Sequence, residues 1–326
     1  MLIDNFKREH DYLRVSVTDR CNLRCTYCIP NETFESLDHN EILRNEEFVE
    51  LISIFVSMGV RKIRFTGGEP LVRRGFTDIL RRTRDIDPKL KLAVTTNGVA
   101  LGNYLDEFRD IGIEKINISL DTLSKERFAG LTRRDFLPDV LANIEKALNY
   151  AAFEIKLNVV LLKGALDEID AFIDYCLKRN IVLRFIERMP FQAENDGDAF
   201  ISSDILLGEL AKRGELIRVK SKDTAVALYY DLLIPNKGTV HIGVIPTMSH
   251  KFCSACNRLR ITANGLFKTC LLSSSEYNIK TAMRNSATRG ELQNIITNAL
   301  AQKGAEHLLD YKRITPVNRM MSRIGG

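Results

Sequence analysis

KIRFTGGEPLVRRGFTDILRRTR (62–84) decides the fold. Its first five residues read as a short strand, a glycine pair breaks the run, and FTDILRRTR (76–84) continues as an amphipathic helical pattern. A strand that feeds a helix is the repeating unit of a parallel sheet. The same alternation runs through the first two thirds of the chain. Further strands are expected at LRVSV (13–17), KLAVTT (91–96), KINISL (115–120), EIKLNVVL (154–161) and VLRFIE (182–187). Helical patterns lie between them at 46–59, at 136–151 and in DEIDAFIDYCLKR (167–179). Six such units fall short of the eight of a closed TIM barrel, so the expected fold is α/β, a partial (β/α)6 TIM-like barrel.

The rhythm changes after about residue 190. FQAENDGDAF (191–200) is polar and contains glycine, which suggests a barrel core at 1–190 and a β-rich and helical extension at 191–326. In that extension 225–233, 239–245 and 258–272 read as antiparallel strands, the last turning at Asn264-Gly265, and 275–307 reads as helical.

Polar residues recur at period two near the strand ends. Arg64 and Thr66 share a side, as do Thr95 and Asn97, then Asn117, Ser119 and Asp121, then Lys156 and Asn158, while Phe65, Val94, Ile118 and Leu157 face the other way. Parallel strands covered on both faces are normally apolar throughout, so one face here is expected to line a pocket.

Composition sets outer limits. Of 326 residues, 45% are hydrophobic and 27% charged, the balance of a globular protein rather than of a disordered or fibrous one. No uninterrupted apolar run reaches membrane-spanning length, and the start MLIDNFKREHDYLRV carries no export signal, so no membrane partner and a cytoplasmic location are expected. A net charge of +5 permits an anionic ligand and does not announce a stable nucleic-acid complex.

The seven cysteines are grouped. Cys21, Cys25 and Cys28 form one trio, Cys253, Cys256 and Cys270 another, and Cys176 lies on the apolar stripe of its helix, where it reads as a small buried hydrophobe. An odd count without an export signal argues against disulfides and for thiolate–metal sites. Each trio is one ligand short of four, as in sites that leave a position open for chemistry. For the first, an iron–sulfur cluster is favoured over zinc, because the nearest downstream histidine is His39. For the second, zinc stays open, with His250 as a possible fourth ligand. Against zinc, a strand through Cys256, Arg258 and Arg260 sets two guanidinium groups beside the thiolate, a pairing suited to an anion with several acceptors.

Cys21-x3-Cys25-x2-Cys28 with Tyr27 before the last cysteine, followed by Gly67-Gly68-Glu69-Pro70, resembles the radical S-adenosylmethionine enzymes. The resemblance implies a [4Fe–4S] cluster on that trio, with its open iron taken by S-adenosylmethionine, and an adenosyl radical produced by reductive cleavage. It also implies cofactor contacts at Tyr27, Gly68, Glu69, Ser119 and Met189. FCSACNRLRITANGLFKTCL (252–271), TTNG (95–98), INISLDTL (116–123) and the terminal Gly325-Gly326 extend the likeness over the whole chain, to the GTP 3′,8-cyclases of molybdenum cofactor biosynthesis.

That resemblance implies a lyase that converts GTP to 3′,8-cyclo-7,8-dihydro-GTP, with a second [4Fe–4S] cluster on Cys253, Cys256 and Cys270. GTP contacts would fall on Arg14, Lys62, Arg64, Thr95, Lys156, Arg184, Arg258 and Arg260. The tail RMMSRIGG (319–326) would enter the barrel with Gly325 and Gly326 as its catalytic end and Arg319 and Arg323 as its cations. An electron donor, a cyclic pyranopterin monophosphate synthase that receives the product, and a homodimer complete the implied partners. Ile29 stands where the family commonly has methionine, Arg188 where it has tyrosine, and 190–235 follows the family pattern poorly. Two rivals remain at this point: a twin-cluster radical enzyme that modifies a peptide, and a zinc-dependent nucleic-acid-binding module.

Overall fold

A computed structural model describes residues 1–29, 34–191, 200–220, 226–307 and 320–325. Gly326, Arg319 and most of the proposed boundary at 191–200 lie outside the described residues.

In chain order the elements are β1 (Tyr12–Ser16), α1 (Asn45–Ser57), β2 (Lys62–Thr66), α2 (Phe76–Ile86), β3 (Lys91–Thr96), α3 (Leu105–Ile111), β4 (Lys115–Ser119) and α4 (Lys125–Thr132). Then come α5 (Leu137–Leu148), β5 (Glu154–Leu161), α6 (Ile169–Leu177) and β6 (Val182–Glu187). The last part contains α7 (Ser203–Ala211), β7 (Glu215–Val219), β8 (Leu228–Ile234), β9 (Gly238–Ile245), β10 (Arg258–Ile261), β11 (Leu266–Lys268), β12 (Tyr277–Asn278), α8 (Ile279–Arg284), α9 (Arg289–Ala301) and α10 (Met321–Ile324).

Among the described residues twelve strands form one sheet, in the order β12-β11-β10-β1-β2-β3-β4-β5-β6-β9-β8-β7. The six expected strands form in sequence and pair in parallel. The late hairpins are antiparallel as expected, but the inner strand of each also joins the parallel core. β10 lies parallel to β1 with Tyr12 opposite Arg258, and β9 lies parallel to β6 with Arg184 opposite Gly243. This correction has a physical reason. Leu259 and Ile261 of β10 are buried like Leu13 and Val15 of β1, so the strand offers the same apolar outer face as its neighbour.

Alternation sorts the side chains. Leu13, Ile63, Phe65, Leu92, Val94, Ile116, Ile118, Leu157 and Leu183 pack outward beneath the helices, where Phe65, Phe76 and Phe108 meet edge to face. The other face carries Tyr12, Arg14, Arg64, Asn117, Lys156, Arg184 and Arg260. That face is strongly concave. Arg184 on β6 feels the charges of Arg64 on β2 and Tyr12 on β1, although a flat sheet would hold β1 and β6 about 24 Å apart. The sheet therefore curls into a barrel that its edges leave open. Cys176 is buried on the inner side of α6, as a hydrophobe would be.

The extension is tied to the core by charge as well. Glu47 closes a capping box at the start of α1 and accepts two hydrogen bonds from Arg284 of α8, at 2.8 and 3.0 Å. The Arg284 contact, with help from Arg44, holds its carboxyl at about 2 against an ordinary 4.5. A depressed carboxylate stabilises the fold above its unfolded value and loses that contribution as pH falls through the folded one. Glu47→Gln is therefore expected to melt a few degrees below the parent at pH 7, by a loss of about 1–3 kcal/mol, with the gap closing between pH 4.5 and 2. Thermal melts across that range check it; a pH-independent gap would exclude the charge as its cause.

Candidate functional site

The first trio follows the carboxyl end of β1. Backbone bonds from Cys28 and Ile29 to the Cys25 carbonyl (3.0 and 2.8 Å) wrap the loop, and Arg24 and Thr26 tie it to the end of α4. Burial pushes the Cys21 thiol up to about 11 and Cys28 to about 12, and raises Cys25 well above its ordinary value. Cys25 also feels both other sulfurs, and Cys28 feels Cys21, so the three share one small space. Thiols this reluctant to ionise together call for a positive centre among them, which is the chemistry of a cluster with one thiolate per iron. Among the described residues no three His, Cys, Asp or Glu side chains converge closely enough to chelate a single ion.

The Gly67–Pro70 turn lies against this loop. A Cβ on Gly68 would come within 2.4 Å of the Arg20 carbonyl and 2.5 Å of that of Asp19, so the close approach that glycine permits here is first of all between two loops. Glu69 is fully buried and accepts from Thr96 Oγ1 (2.7 Å), Asn97 N (2.7 Å) and Leu71 N (3.1 Å). Burial still lifts its carboxyl to about 7, so a cationic ligand would restore its ordinary ionisation. Tyr27 donates to Asp121 at 2.6 Å. Asn97 Nδ2 lies 3.7 Å from the Cys21 sulfur. Ser119 ends β4 and Met189 follows β6, so both stand on the same rim.

Below this rim the concave face is crowded with cations. Arg64 donates to Tyr12 Oη at 2.7 Å, to the Val94 carbonyl at 2.9 Å and to Thr95 Oγ1 at 3.3 Å. Lys62 lies 4.3 Å over the Tyr12 ring, and Arg258 4.8 Å over Phe252. Lys156 bonds Tyr229 Oη and pairs with Glu154. Burial alone would raise the Tyr12 phenol; Arg64, Arg14 and Lys62 overcome it and pull the group down to about 7. Arg260 is held well below its usual range by burial and by Arg14 and Arg258. Nε and one terminal nitrogen of Arg184, with the side-chain oxygens of Asn117 and Asn158, are buried without a hydrogen-bond partner. Such groups want a polyanion with donors and acceptors of its own.

The second trio lies at the opposite end. Cys253 and Cys256 precede β10, which runs parallel to β1, and Cys270 follows the antiparallel β11. All three therefore cluster beyond the amino ends of the core strands, facing the first trio along the concave face, with about 13 Å of β1 between. Cys253 is raised by burial and by Cys270 and Cys256. Burial would raise Cys256 too, yet Arg258 and Lys303 draw it down to about 7. His250 is turned away and paired with Asp204 at 2.9 Å, so it does not complete this set.

The tail enters between the two ends. Ile324 and Ser322 are buried, the Cys28 sulfur accepts the Ser322 N–H, and Arg260 donates to the Gly325 carbonyl at 2.6 Å. Arg323 packs 5.8 Å from the Phe34 ring. Reasoning from sequence placed Asp121 on the pocket face but missed Tyr12, Tyr229 and Lys303. Tyr12 was detectable, two residues before Arg14 on the same face; nothing in the sequence marks Lys303.

Known proteins resemble this chain along its length. Residues 15–176 match the Radical SAM superfamily and residues 181–309 match Molybdenum Cofactor Synthesis C. The chain is 40% identical over 331 residues to a GTP 3′,8-cyclase of Desulforamulus reducens, covering all of both chains. It is 38% identical over 328 residues to one of Clostridium botulinum, again covering both completely. It is 37% identical over 339 residues to one of Corynebacterium glutamicum, of which 89% is covered. Among solved structures, Streptococcus suis SuiB bound to precursor peptide SuiA has a TM-score of 0.65 at 12% identity, over 94% of this chain and 76% of that one, a likeness of fold alone. Identity of 38–40% over the full length of both chains shows that the chain belongs to the GTP 3′,8-cyclase family of radical S-adenosylmethionine enzymes.

Proposed function

We infer that this chain is a GTP 3′,8-cyclase that makes 3′,8-cyclo-7,8-dihydro-GTP for molybdenum cofactor synthesis, using S-adenosylmethionine and two [4Fe–4S] clusters. The observation that carries the reading is the column of buried cations between two thiol trios at opposite ends of one concave face. Bound together, the first cluster and S-adenosylmethionine supply a radical able to abstract hydrogen from an unactivated carbon. Everything else falls to the chain.

In this reading Cys21, Cys25 and Cys28 hold the first cluster and Cys253, Cys256 and Cys270 the second. Glu69 receives the ammonium of S-adenosylmethionine, with Tyr27, Gly68, Ser119 and Met189 around the rest of it. Arg14, Lys62, Arg64, Lys156, Arg184, Arg258 and Arg260 grip the triphosphate and, with Thr95, keep the ribose turned toward the rim. Gly325 closes the lumen from the side, excluding water from the reacting sugar, and Gly325 and Gly326 are assigned as the catalytic end of the tail. The 1–190 core thus serves radical formation, and 191–326 presents the nucleotide. The electron donor, delivery of product to a cyclic pyranopterin monophosphate synthase and a homodimeric state belong to the same proposal. No helix among the described residues is long and apolar enough to cross a membrane.

Anaerobic incubation of the reconstituted protein with GTP, reductant and S-adenosylmethionine tests the reading. The expected result is about eight irons per chain and cyclised GTP as product; zinc in place of iron, or a modified peptide as the sole product, would overturn it. The cation column is tested separately. Arg258→Ala and Arg260→Ala are each expected to weaken GTP binding about 10- to 100-fold, the loss of charge-assisted hydrogen bonds, with S-adenosylmethionine affinity nearly unchanged. Equal losses for the two ligands in a binding assay would remove the arginines from the GTP site.

A further inference from the structure

Residues 1–11 precede the first strand, and they are built into the protein. Ile3 and Glu9 form an antiparallel bridge, and His10 N donates to the Leu2 carbonyl at 2.8 Å, closing a small hairpin. Its centre is Asp4. One carboxylate oxygen takes the N–H groups of Phe6 and Arg8 at 2.9 and 3.0 Å; the other takes Arg8 Nε at 2.6 Å and His10 Nε2 at 3.0 Å. Leu2, Asp4, Arg8 and His10 are all buried.

Arg8, fixed in this way, turns its terminal nitrogens toward the second trio. It donates to the Cys253 carbonyl at 2.8 Å, to Ala305 at 2.7 Å and to Gly304 at 2.7 Å. Two further bonds flank it: Asn5 Nδ2 to the Ala301 carbonyl (2.7 Å), and Asn257 Nδ2 to Asp11 (2.6 Å). The hairpin therefore clasps two segments at once, the Cys253–Asn257 loop and the turn after α9. Between them lies Lys303, only 6% exposed, with Nζ 3.3 Å from the Arg258 carbonyl and 4.0 Å from the Cys256 sulfur. Burying an ammonium is expensive unless an anion accompanies it. Here the Cys256 sulfur, read as a cluster ligand, supplies that anion.

We propose that Lys303 is a positioning residue for the second cluster: held by the amino-terminal hairpin through Arg8, its ammonium neutralises the Cys256 thiolate and sets how firmly the cluster is retained and how readily it is reduced. The proposal rests on the reading of Cys253, Cys256 and Cys270 as cluster ligands. A fixed positive charge this close to a ligand sulfur favours the form of the cluster that carries one more electron, and it lowers the tendency of the thiolate to take up a proton and leave. Arg8 acts at one remove, because the turn that carries Lys303 is hung from its guanidinium.

The test uses the full-length chain with Cys21, Cys25 and Cys28 changed to alanine, so that only the second cluster is loaded, and compares it with the same chain carrying Lys303→Met, Lys303→Arg or Arg8→Gln. The midpoint potential is read by titration with spectroscopic detection, and iron release to a chelator is timed. Lys303→Met is expected to shift the potential to a more negative value and to release iron several-fold faster. Lys303→Arg is expected to keep both near the parent, and Arg8→Gln to fall between. A parent-like potential in Lys303→Met overturns the proposal, and so does Lys303→Arg displaced as far as Lys303→Met, since packing rather than charge would then be at work. If Lys303→Met holds no cluster, Lys303→Arg decides: a loaded cluster at the parent potential supports the proposal, and an empty chain overturns it. A parent that takes up no iron fails the ligand reading itself, which separates the two failures.

Discussion

Cys256→Ala is expected to go on cleaving S-adenosylmethionine while cyclised nucleotide drops by about 10³-fold or more, a loss of about 4 kcal/mol or more in transition-state stabilisation. The expectation follows from the distance between the trios. The Cys21–Cys28 loop is held by α4 and by the Gly67–Pro70 turn. Cys256 sits beyond the amino end of β10, so its loss leaves the radical-forming end intact. At its own end the damage is large. Arg258 and Lys303 both face the Cys256 sulfur, and without it two cations confront each other at the end proposed to present the nucleotide. Quantifying 5′-deoxyadenosine and nucleotide product in the same anaerobic reaction checks this. Cys25→Ala is the mirror experiment: cleavage should cease while GTP still binds. If Cys256→Ala stopped cleavage as well, the two ends would not be independent.

Gly325→Ala is the second large effect. Gly325 has φ of +80°, and a Cβ there would lie 2.7 Å from Ser16 Cβ and 3.1 Å from Thr66 Cγ2, atoms anchored on β1 and β2. The core strands cannot retreat, so the tail must, and the 2.6 Å bond from Arg260 to the Gly325 carbonyl goes with it. Displacement on the scale of 1 Å costs an enzyme about 10²-fold, and that is the expected loss of cyclised product, with both clusters still assembled. Adding Ser16→Gly removes the struck atom and should recover part of the activity. Parent-like turnover by Gly325→Ala alone would separate tail docking from catalysis.

Some of this architecture was plain in the sequence because it is local. Period-two alternation placed Arg64, Asn117 and Lys156 on one face correctly, since in a strand direction depends on position alone. Helical spacing located α1, α2, α5 and α6 within a few residues. The parallel docking of β9 and β10 was not legible, because RLRI and TVHIGVI look the same whether their neighbour runs with or against them. The site divides in the same way. Both trios could be read from spacing, and Arg258 and Arg260 from alternation. Lys303 could not be, since its partner is 47 residues away and depends on how α9 folds back. The Tyr12 phenol was overlooked for another reason: an aromatic at the start of a strand looks like core, and only the assembled ring of cations shows that it faces inward.

The pairing of β10 with β1 also bears on how the molecule is made. The contact between Asn257 and Asp11 spans 246 positions, so during synthesis the first strand leaves the ribosome long before the neighbour that covers its outer edge. Until then that edge is an unprotected template for any passing strand, and closing so distant a contact is intrinsically slow. The half that carries the first thiol trio is thus the earliest to emerge and among the last to be sealed. A fragment that ends before residue 258 should accordingly aggregate rather than persist as a free-standing radical-generating domain.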